Sequence, residues 1–258
     1  MSLPSFTFVC CYNCDGQLQT MLLPSLKKIG SVNLTDRKTE KYTHILIDNR
    51  NKKYECAAKA YNQELRIKEQ RLGKILVFCH QDISFDNSQL LNHAEEEFHK
   101  NPNQILGVAG MQQNEVVLSN LRYADSKKII TQNQVVSKME VESLDECCFM
   151  VPRSLFEKLS FDEKTCSFWH LYAVDYCYAA RIRYGIKSFV LPDIIYHKKE
   201  TNNGLYADNT FLRSMWKMTR KYHREISTIY SPCYVIRTKS IFAILKLART
   251  YLRNIIQQ

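Results

Sequence analysis

The short apolar run Ile75–Cys79 is the feature that most constrains how this chain can fold. It is rich in β-forming residues, follows Gly73, and ends at the polar sequence His80-Gln81-Asp82. A continuous apolar run of this length is typical of a strand buried on both faces, as in a sheet that helices cover on each side. We therefore predict an α/β fold with this strand near the middle of its sheet.

The segments before this run alternate between strand and helix patterns. Apolar runs at 6–11 and 43–47 predict strands, and helical spacing of apolar residues follows at 17–29 and 54–71. Alternation of this kind favours a parallel, doubly wound sheet. The sequence contains neither a G-x-G-x-x-G fingerprint nor a G-x-x-x-x-G-K phosphate loop. Their absence disfavours a nicotinamide dehydrogenase and a P-loop ATPase.

Charge is distributed unevenly along the chain. The net charge of the 258 residues is +10, and residues 205–258 hold ten Lys or Arg against two acids. We predict a main domain over 1–204 and a basic helical C-terminal extension over 205–258. Within this extension, 240–254 has the pattern of an amphipathic helix. Such a helix either closes the domain with a solvated basic face or lies on an anionic membrane.

The cysteines and the hydropathy indicate a reducing, aqueous environment. Most of the ten cysteines lie in apolar segments, as small core residues do. The lone C-x-x-C sequence, from Cys11 to Cys14, has no second pair with which to bind zinc. No apolar run approaches the roughly 18 residues of a membrane span, and the N-terminus lacks the pattern of a signal peptide. We expect a cytoplasmic protein with reduced thiols.

Polar side chains follow three of the predicted strands where each strand ends. These are Asn13, Asp48 and Asp82. In open α/β sheets, ligands bind at the edge where the carboxyl ends of the strands meet. A carboxylate there can hold a hard divalent cation, and the cation can hold a diphosphate. The pattern therefore suits the ribose and the metal-bound diphosphate of a nucleotide.

Several longer segments together resemble a known family. They are LLPSLKKI, ILIDNRNKKYECAAKAYN, ILVFCHQDISF, SLDECCFMVP, FDEKTCSFWHLYAVDYC and IIYH, and the resemblance covers about residues 6–197. The chain resembles cytoplasmic glycosyltransferases of the GT-A fold, in the family-2-like group that includes streptomycin-biosynthesis-type transferases. The resemblance implies a Rossmann-like sandwich with a mainly parallel central sheet, and it makes 1–204 the catalytic domain.

The same resemblance implies a site for a metal and a nucleotide-sugar, with a UDP-sugar favoured. The family's D-x-D position reads His80-Gln81-Asp82 here, so Asp82 would hold Mn²⁺ or Mg²⁺. His80 would be a second ligand or a donor to the diphosphate, and His197 would complete the metal site. Histidine in place of the first acid favours Mn²⁺, which accepts imidazole more readily than Mg²⁺ does.

Further roles follow from the resemblance. Asp48 would contact the base or ribose, and Asn62 would lie on the nucleotide side. Inverting sugar transfer also needs a base for the acceptor hydroxyl, and that acid stands shortly before a helix in the family. The alignment leaves three candidates, with Asp175 first, Asp145 second and His170 third. Trp169 either packs in the core or stacks on a sugar ring.

The expected activity is transfer of a sugar from a nucleotide-sugar to the hydroxyl of a saccharide or lipid-linked glycan, in surface polysaccharide or glycoconjugate assembly. Peripheral contact with the inner face of the membrane would go through the basic C-terminal helix. Two other classes stay open. A nucleotidyltransferase would carry a Gly-rich basic loop after its first strand, where this chain reads YNCDGQ. A basic nucleic-acid-binding module would suit the tail, but no recognised motif is present, so we expect no nucleic-acid partner.

Overall fold

The computed structural model describes residues 5–31, 42–131, 133–198 and 209–240, together with 242, 245, 249 and 250. Its strands are β1 (Phe6–Tyr12), β2 (Tyr42–Asp48), β3 (Ile75–Cys79), β4 (Ile83–Phe85), β5 (Gln104–Gly107), β6 (Ala109–Met111), β7 (Val117–Ser119), β8 (Arg122–Tyr123), β9 (Met139–Val141), β10 (Ser143–Leu144), β11 (Cys148–Pro152), β12 (Lys187–Val190), β13 (Ile195–His197), β14 (Thr228–Ser231) and β15 (Tyr234–Arg237). Its α-helices are α1 (Asp15–Gln17), α2 (Leu23–Ser31), α3 (Ala57–Ile67), α4 (Gln89–Lys100), α5 (Arg153–Phe156), α6 (Tyr172–Tyr184) and α7 (Asn209–Tyr222).

A seven-stranded sheet forms the centre, in the order β2-β1-β3-β11-β5-β12-β9. Strand β1 lies parallel to β2 and β3, and β5 lies parallel to β12. Strand β11 runs antiparallel between β3 and β5, and β9 runs antiparallel at the edge. Five of the seven strands therefore share one direction. The predicted α/β fold with a mainly parallel central sheet is confirmed.

Strand β3 shows why the apolar run is buried on both faces. All five of its residues are buried, and successive side chains point to opposite faces of the sheet. Leu76 and Phe78 pack in a cluster with the inward faces of α3 and α6. Val77 and Cys79 pack in a second cluster with the segment 15–31 and α4. Helices cover both faces, so a strand between them has no position for a polar side chain.

The first helical segment is interrupted by a π-helical turn, Leu18–Leu22, between α1 and α2. Pro24 is the second residue of α2 and follows the turn after Leu23. Proline has no N–H to donate to the carbonyl four residues earlier, here that of Thr20 in the turn, so the regular hydrogen-bond pattern is interrupted here. The predicted helix at 17–29 is present, with its distortion in the turn before the proline.

Helix α7 and the hairpin β14–β15 pack on the outer side of α6. They form a third apolar cluster, in which Val174 and Tyr178 of α6 meet Met215 and Met218 of α7. The boundary predicted at 204/205 and most of the predicted C-terminal helix at 240–254 lie outside the described residues. Within the part of the chain that the structure describes, no helix has the length and apolar character needed to cross a membrane.

All ten cysteines are free thiols, and seven of them are buried. Cys11 is half-buried at the end of β1, and burial raises the pKa of its thiol to about 12. A reactive or metal-binding cysteine needs a lowered pKa, because the thiolate is the nucleophile and the ligand. Cys11 therefore has the properties of a packing residue.

Candidate metal and ligand site

His80, Asp82 and His197 come together at the carboxyl end of β3. One ligand atom from each lies within 4.8 Å of the others. His80 Nδ1 is 4.0 Å from Asp82 Oδ1, and His197 Nε2 is 3.7 Å from the same oxygen. The three residues that the sequence predicted as metal ligands are thus neighbours in space.

Strand pairing brings His197 to this place from more than a hundred positions along the chain. Strand β4 begins directly after Asp82 and pairs antiparallel with β13, so that His197 faces Ile83. The backbone N–H of Lys198 also donates to the carbonyl of Asp82 at 3.0 Å. The short β4–β13 pairing therefore fixes the third residue of the group.

The chemistry of this donor set fits a divalent transition-metal ion. Two imidazole nitrogens and one carboxylate suit Mn²⁺ better than Mg²⁺, which prefers oxygen ligands alone. Burial lowers the pKa of His80, while the charge of Asp82 acts in the opposite direction. A lowered pKa keeps the imidazole neutral, which is the form that binds a metal.

A cavity of about 870 Å³ opens beside these residues. His80 and Asp82 form part of its wall, together with residues that follow β1 and β2, among them Asn13 and Arg50. This is the edge where the carboxyl ends of the parallel strands meet, as the sequence predicted. The volume is within the usual range for small-ligand pockets.

Gln81 joins the ends of β1 and β3 at the cavity wall. Its side-chain oxygen accepts from the backbone N–H groups of Asn13 and Cys14, each at 2.9 Å. Its side-chain nitrogen donates to Asn13 Oδ1 at 2.8 Å. The middle residue of the His-Gln-Asp sequence therefore holds Asn13 in place, a role that the sequence analysis did not foresee.

Asp48, at the end of β2, is engaged by Arg50. Arg50 Nε donates to both carboxylate oxygens, at 3.0 and 3.1 Å, and hydrogen bonds from Arg50 hold the pKa of Asp48 well below its usual range. The guanidinium also lies 5.6 Å from the centre of the Tyr12 ring. Arg50 and Tyr12 line the cavity, whereas Asp48 is not among its described lining residues.

Two sequence-predicted residues are placed elsewhere. Asn62 makes a two-way contact with the backbone of Phe161, donating to its carbonyl at 2.9 Å and accepting from its N–H at 3.1 Å. Asp175 is buried and accepts from Lys221 at 2.7 and 2.9 Å and from the Tyr222 hydroxyl at 2.8 Å. Of the described residues that line the cavity, neither Asn62 nor Asp175 is one.

Asp145 and His170 are also not among the described residues that line the cavity, but both act electrostatically on the His80 ring. Their effects on the pKa of His80 are smaller than that of burial: Asp145 raises this pKa and His170 lowers it. Asp145 also accepts from the backbone N–H of Cys147 at 2.9 Å, and the carbonyl of Cys147 accepts from the N–H of His80 at 3.0 Å. Only the fold shows this proximity, because β11 returns beside β3.

Glu146 is a feature that the sequence analysis missed. One of its carboxylate oxygens is buried without a hydrogen-bond partner in the described part of the chain. Burial, reinforced by the charge of Asp145, raises the pKa of Glu146 to about 8, against the backbone N–H groups of Glu146 and Leu171. Leu171, whose backbone N–H contacts Glu146, stands just before α6 and has a φ of 66°, which is uncommon for a bulky residue. No local pattern marks such a carboxyl, since burial depends on the whole fold.

Aromatic side chains complete the cavity. Trp169 lines it with 39% of its surface exposed. Tyr172 also lines the cavity, and its hydroxyl lies 3.5 Å from His80 Nε2. Its ring packs against the ring of Tyr61, with 5.6 Å between the two ring centres. Of the two interpretations of Trp169, exposure at a cavity wall favours contact with a ligand over packing in the core.

No protein-family model matches the chain, and a search of curated proteins finds no match. Solved structures do resemble it. The mannosyltransferase PcManGT from Pyrobaculum calidifontis, in complex with GDP-Man and Mn²⁺, gives a TM-score of 0.51 at 11% identity, over 100% of this chain and 75% of that one. GalNAc-T7 with UDP, GalNAc and Mn²⁺ gives 0.49 at 9% identity, over 97% and 55%. A197 from STIV gives 0.46 at 12% identity, over 78% and 87%.

The likeness to PcManGT defines the fold as GT-A-like. This class of α/β fold carries its candidate site at the carboxyl ends of the central strands, which is where the cavity lies. The expected GT-A-type architecture is therefore confirmed, at the level of the fold.

Proposed function

We propose that this chain is a metal-dependent glycosyltransferase of the family-2-like group. It moves a sugar from a nucleotide-diphosphate-sugar, with a UDP-sugar favoured, to a hydroxyl of a saccharide or lipid-linked glycan. The observation that carries the proposal is the His80, Asp82 and His197 group, of which His80 and Asp82 line a cavity of about 870 Å³. The GT-A-like fold and the site chemistry support it together.

The cavity supplies what a nucleotide-sugar needs. Asp82, His80 and His197 would hold the cation, which stabilises negative charge on a departing diphosphate. Tyr12 and Arg50 offer an aromatic face and a cation at the ends of β1 and β2, where a nucleoside fits. Hydrogen bonds from Gln81 keep Asn13 on the same wall. These side chains orient the donor before any chemistry occurs.

The base is assigned to Asp145. Of the three predicted residues, Asp175 has its carboxylate engaged by Lys221 and Tyr222. One carboxylate oxygen of Asp145 accepts from the N–H of Cys147, whose carbonyl accepts from the N–H of His80, so Asp145 is connected to the metal-ligand group through one residue. In Asp145→Asn, kcat is expected to fall by about 10²–10⁴, the usual contribution of a general base, with donor affinity retained.

A thermal-shift screen tests the donor and the metal. UDP-, GDP-, CMP- and dTDP-sugars are added to the whole chain, each with and without Mn²⁺. A donor at a hundred times its Kd is expected to raise the melting temperature by roughly 5–10 °C, and only with Mn²⁺ present. Transfer to acceptor saccharides is then assayed with the donor that shifts the transition.

Two variants make the screen specific. Asp82→Asn removes the carboxylate from the three-residue group and is expected to abolish the Mn²⁺-dependent shift. Asp86→Asn is the matched control, because Asp86 is a nearby half-exposed aspartate paired with Lys28 at 3.9 Å and lies outside the group. A shift of normal size in Asp82→Asn, or no response of the unaltered chain to any donor, would contradict the proposal.

A further inference from the structure

One lysine of α7 contacts the segment 161–171, which is the second part of the connection from α5 to α6. Lys217 Nζ donates to the carbonyl of Lys164 at 2.9 Å and to the hydroxyl of Ser167 at 2.7 Å. It also lies 5.9 Å from the centre of the Phe168 ring. Three contacts of one ammonium group therefore bind the middle of this segment to α7.

A second lysine, one helical turn further on, binds both ends of the same region. Lys221 Nζ lies 2.9 Å from Asp162 Oδ2 and 2.7 Å from Asp175 Oδ1. Burial raises the pKa of Asp175, and Lys221 acts against that effect. This buried ion pair anchors the segment to the body of the protein, so it belongs to the stability of the fold.

The segment is also held from the opposite side. The carbonyl of Phe168 accepts from the N–H of Ala57, the first residue of α3, at 3.3 Å. Trp169 comes next in the chain and faces the cavity. The contacts of this segment with α3 and α7 therefore determine the position of the Trp169 side chain on the cavity wall.

We propose that Lys217 is a positioning residue that fixes Trp169 on the cavity wall as a platform for a sugar ring. Aromatic faces pack against the apolar faces of sugars, and a platform that is already in place avoids the cost of ordering it on binding. The identity of the ligand as a sugar rests on the proposed function. The positioning of Trp169 by Lys217 does not.

Fluorescence isolates the effect, because the chain has two tryptophans and the other one is Trp216. In a Trp216→Phe background, Lys217→Met is expected to raise the acrylamide quenching constant of Trp169 at least about twofold, since two hydrogen bonds are lost. Lys217→Arg keeps the charge and the donors and is expected to restore most of the protection. Arg220→Met, on the exposed side of the same helix, is the control and should leave quenching unchanged.

Kinetics with the donor found by the screen then identify which sugar uses the platform. Lys217→Met is expected to raise one KM by about tenfold with kcat less affected. A change in the acceptor KM assigns the platform to the acceptor, and a change in the donor KM assigns it to the donor sugar. A purely structural role would instead lower the melting temperature and leave both KM values unchanged.

Ser167→Ala removes the other partner of the same hydrogen bond without changing charge, and it guards against a Lys217 variant that fails to fold. It is expected to increase Trp169 quenching in the same direction. Unchanged quenching in Ser167→Ala and in any folded Lys217→Met protein would overturn the positioning role. Because quenching is measured without ligand, a failure of every nucleotide-sugar to bind would count against the proposed function alone.

Discussion

Replacing Glu146 with glutamine is expected to stabilise the protein at pH 8 and to leave its stability at pH 5 nearly unchanged. Burial and the neighbouring Asp145 raise the pKa of Glu146 to about 8, from an ordinary value of 4.5. Between those values the folded protein keeps a proton that the unfolded chain releases. The contribution that this proton makes to the free energy of unfolding is therefore fully present below pH 4.5 and is lost as the pH rises through 8.

The two pKa values bound the size of the effect. Each pKa unit corresponds to about 1.36 kcal/mol, so the interval from 4.5 to about 8 allows at most about 5 kcal/mol. Water entry and relaxation around a buried charge reduce such penalties. We expect Glu146→Gln to raise the free energy of unfolding by about 1–3 kcal/mol at pH 8, where the wild-type carboxyl has begun to ionise.

Urea unfolding, followed by circular dichroism at each pH from 5 to 9, measures this difference. Titration of the seven histidines affects both proteins alike and cancels when the two curves are subtracted. Glu96→Gln is the control, because Glu96 is an exposed glutamate on α4 and its replacement should give a flat difference. The reasoning is refuted if the Glu146→Gln difference does not grow with pH, or if this variant is the less stable protein at pH 8.

Three further predictions concern the fold. Lys221→Met leaves the buried carboxylate of Asp175 without its counter-ion, with only the Tyr222 hydroxyl still donating to it. It is expected to cost about 3–5 kcal/mol in urea unfolding, against little change for Lys221→Arg. Gly110→Ala would place a Cβ 2.7 Å from a backbone oxygen, and it is expected to destabilise the fold by about 1–3 kcal/mol and so lower the melting temperature. Gly16→Ala is the control, because a Cβ at that position meets open space and should be tolerated. Neighbouring cations and the Tyr54 hydroxyl lower the pKa of Glu64 to about 2, so its contribution to stability is present above pH 4.5 and lost towards pH 2. Glu64→Gln should flatten the acid-denaturation curve between pH 4.5 and pH 2. An unchanged curve would argue against a stabilising role of the ionised Glu64 carboxylate.

Local patterns were sufficient for much of the central sheet. The apolar runs at 6–11, 43–47 and 75–79 all correspond to strands, and the helical pattern at 54–71 contains α3, Ala57–Ile67. In each case the spacing of the apolar residues reflects how the element is buried: the strands on both faces of the sheet, and the helix along one stripe. The short apolar segment 105–109 is instead divided between β5 and β6, which belong to different sheets. Residues on either side of Val108 pair with different partners, and a local pattern contains no information about partners.

The residues of the candidate site also divide into those that a local pattern predicts and those that it does not. The sequence alone placed His80 and Asp82 at the end of a buried strand, because the transition from apolar to polar residues is local. Resemblance added His197, and the β4–β13 pairing supplies the physical reason for its proximity to Asp82. The engagement of Asp175 by Lys221 could not be predicted, since an exposed acid and a buried, paired acid look alike in sequence.

The sequence by itself therefore determined the α/β class, the position of the central strand, and two of the three residues grouped at its end. Hydrophobic periodicity determines these features, and it acts over a few residues. The tertiary structure alone decided the antiparallel return of β11, the raised pKa of Glu146, and the placement of Trp169 between α3 and α7. These depend on contacts between distant segments, where the burial and charge of one residue are set by neighbours that its own local sequence does not specify.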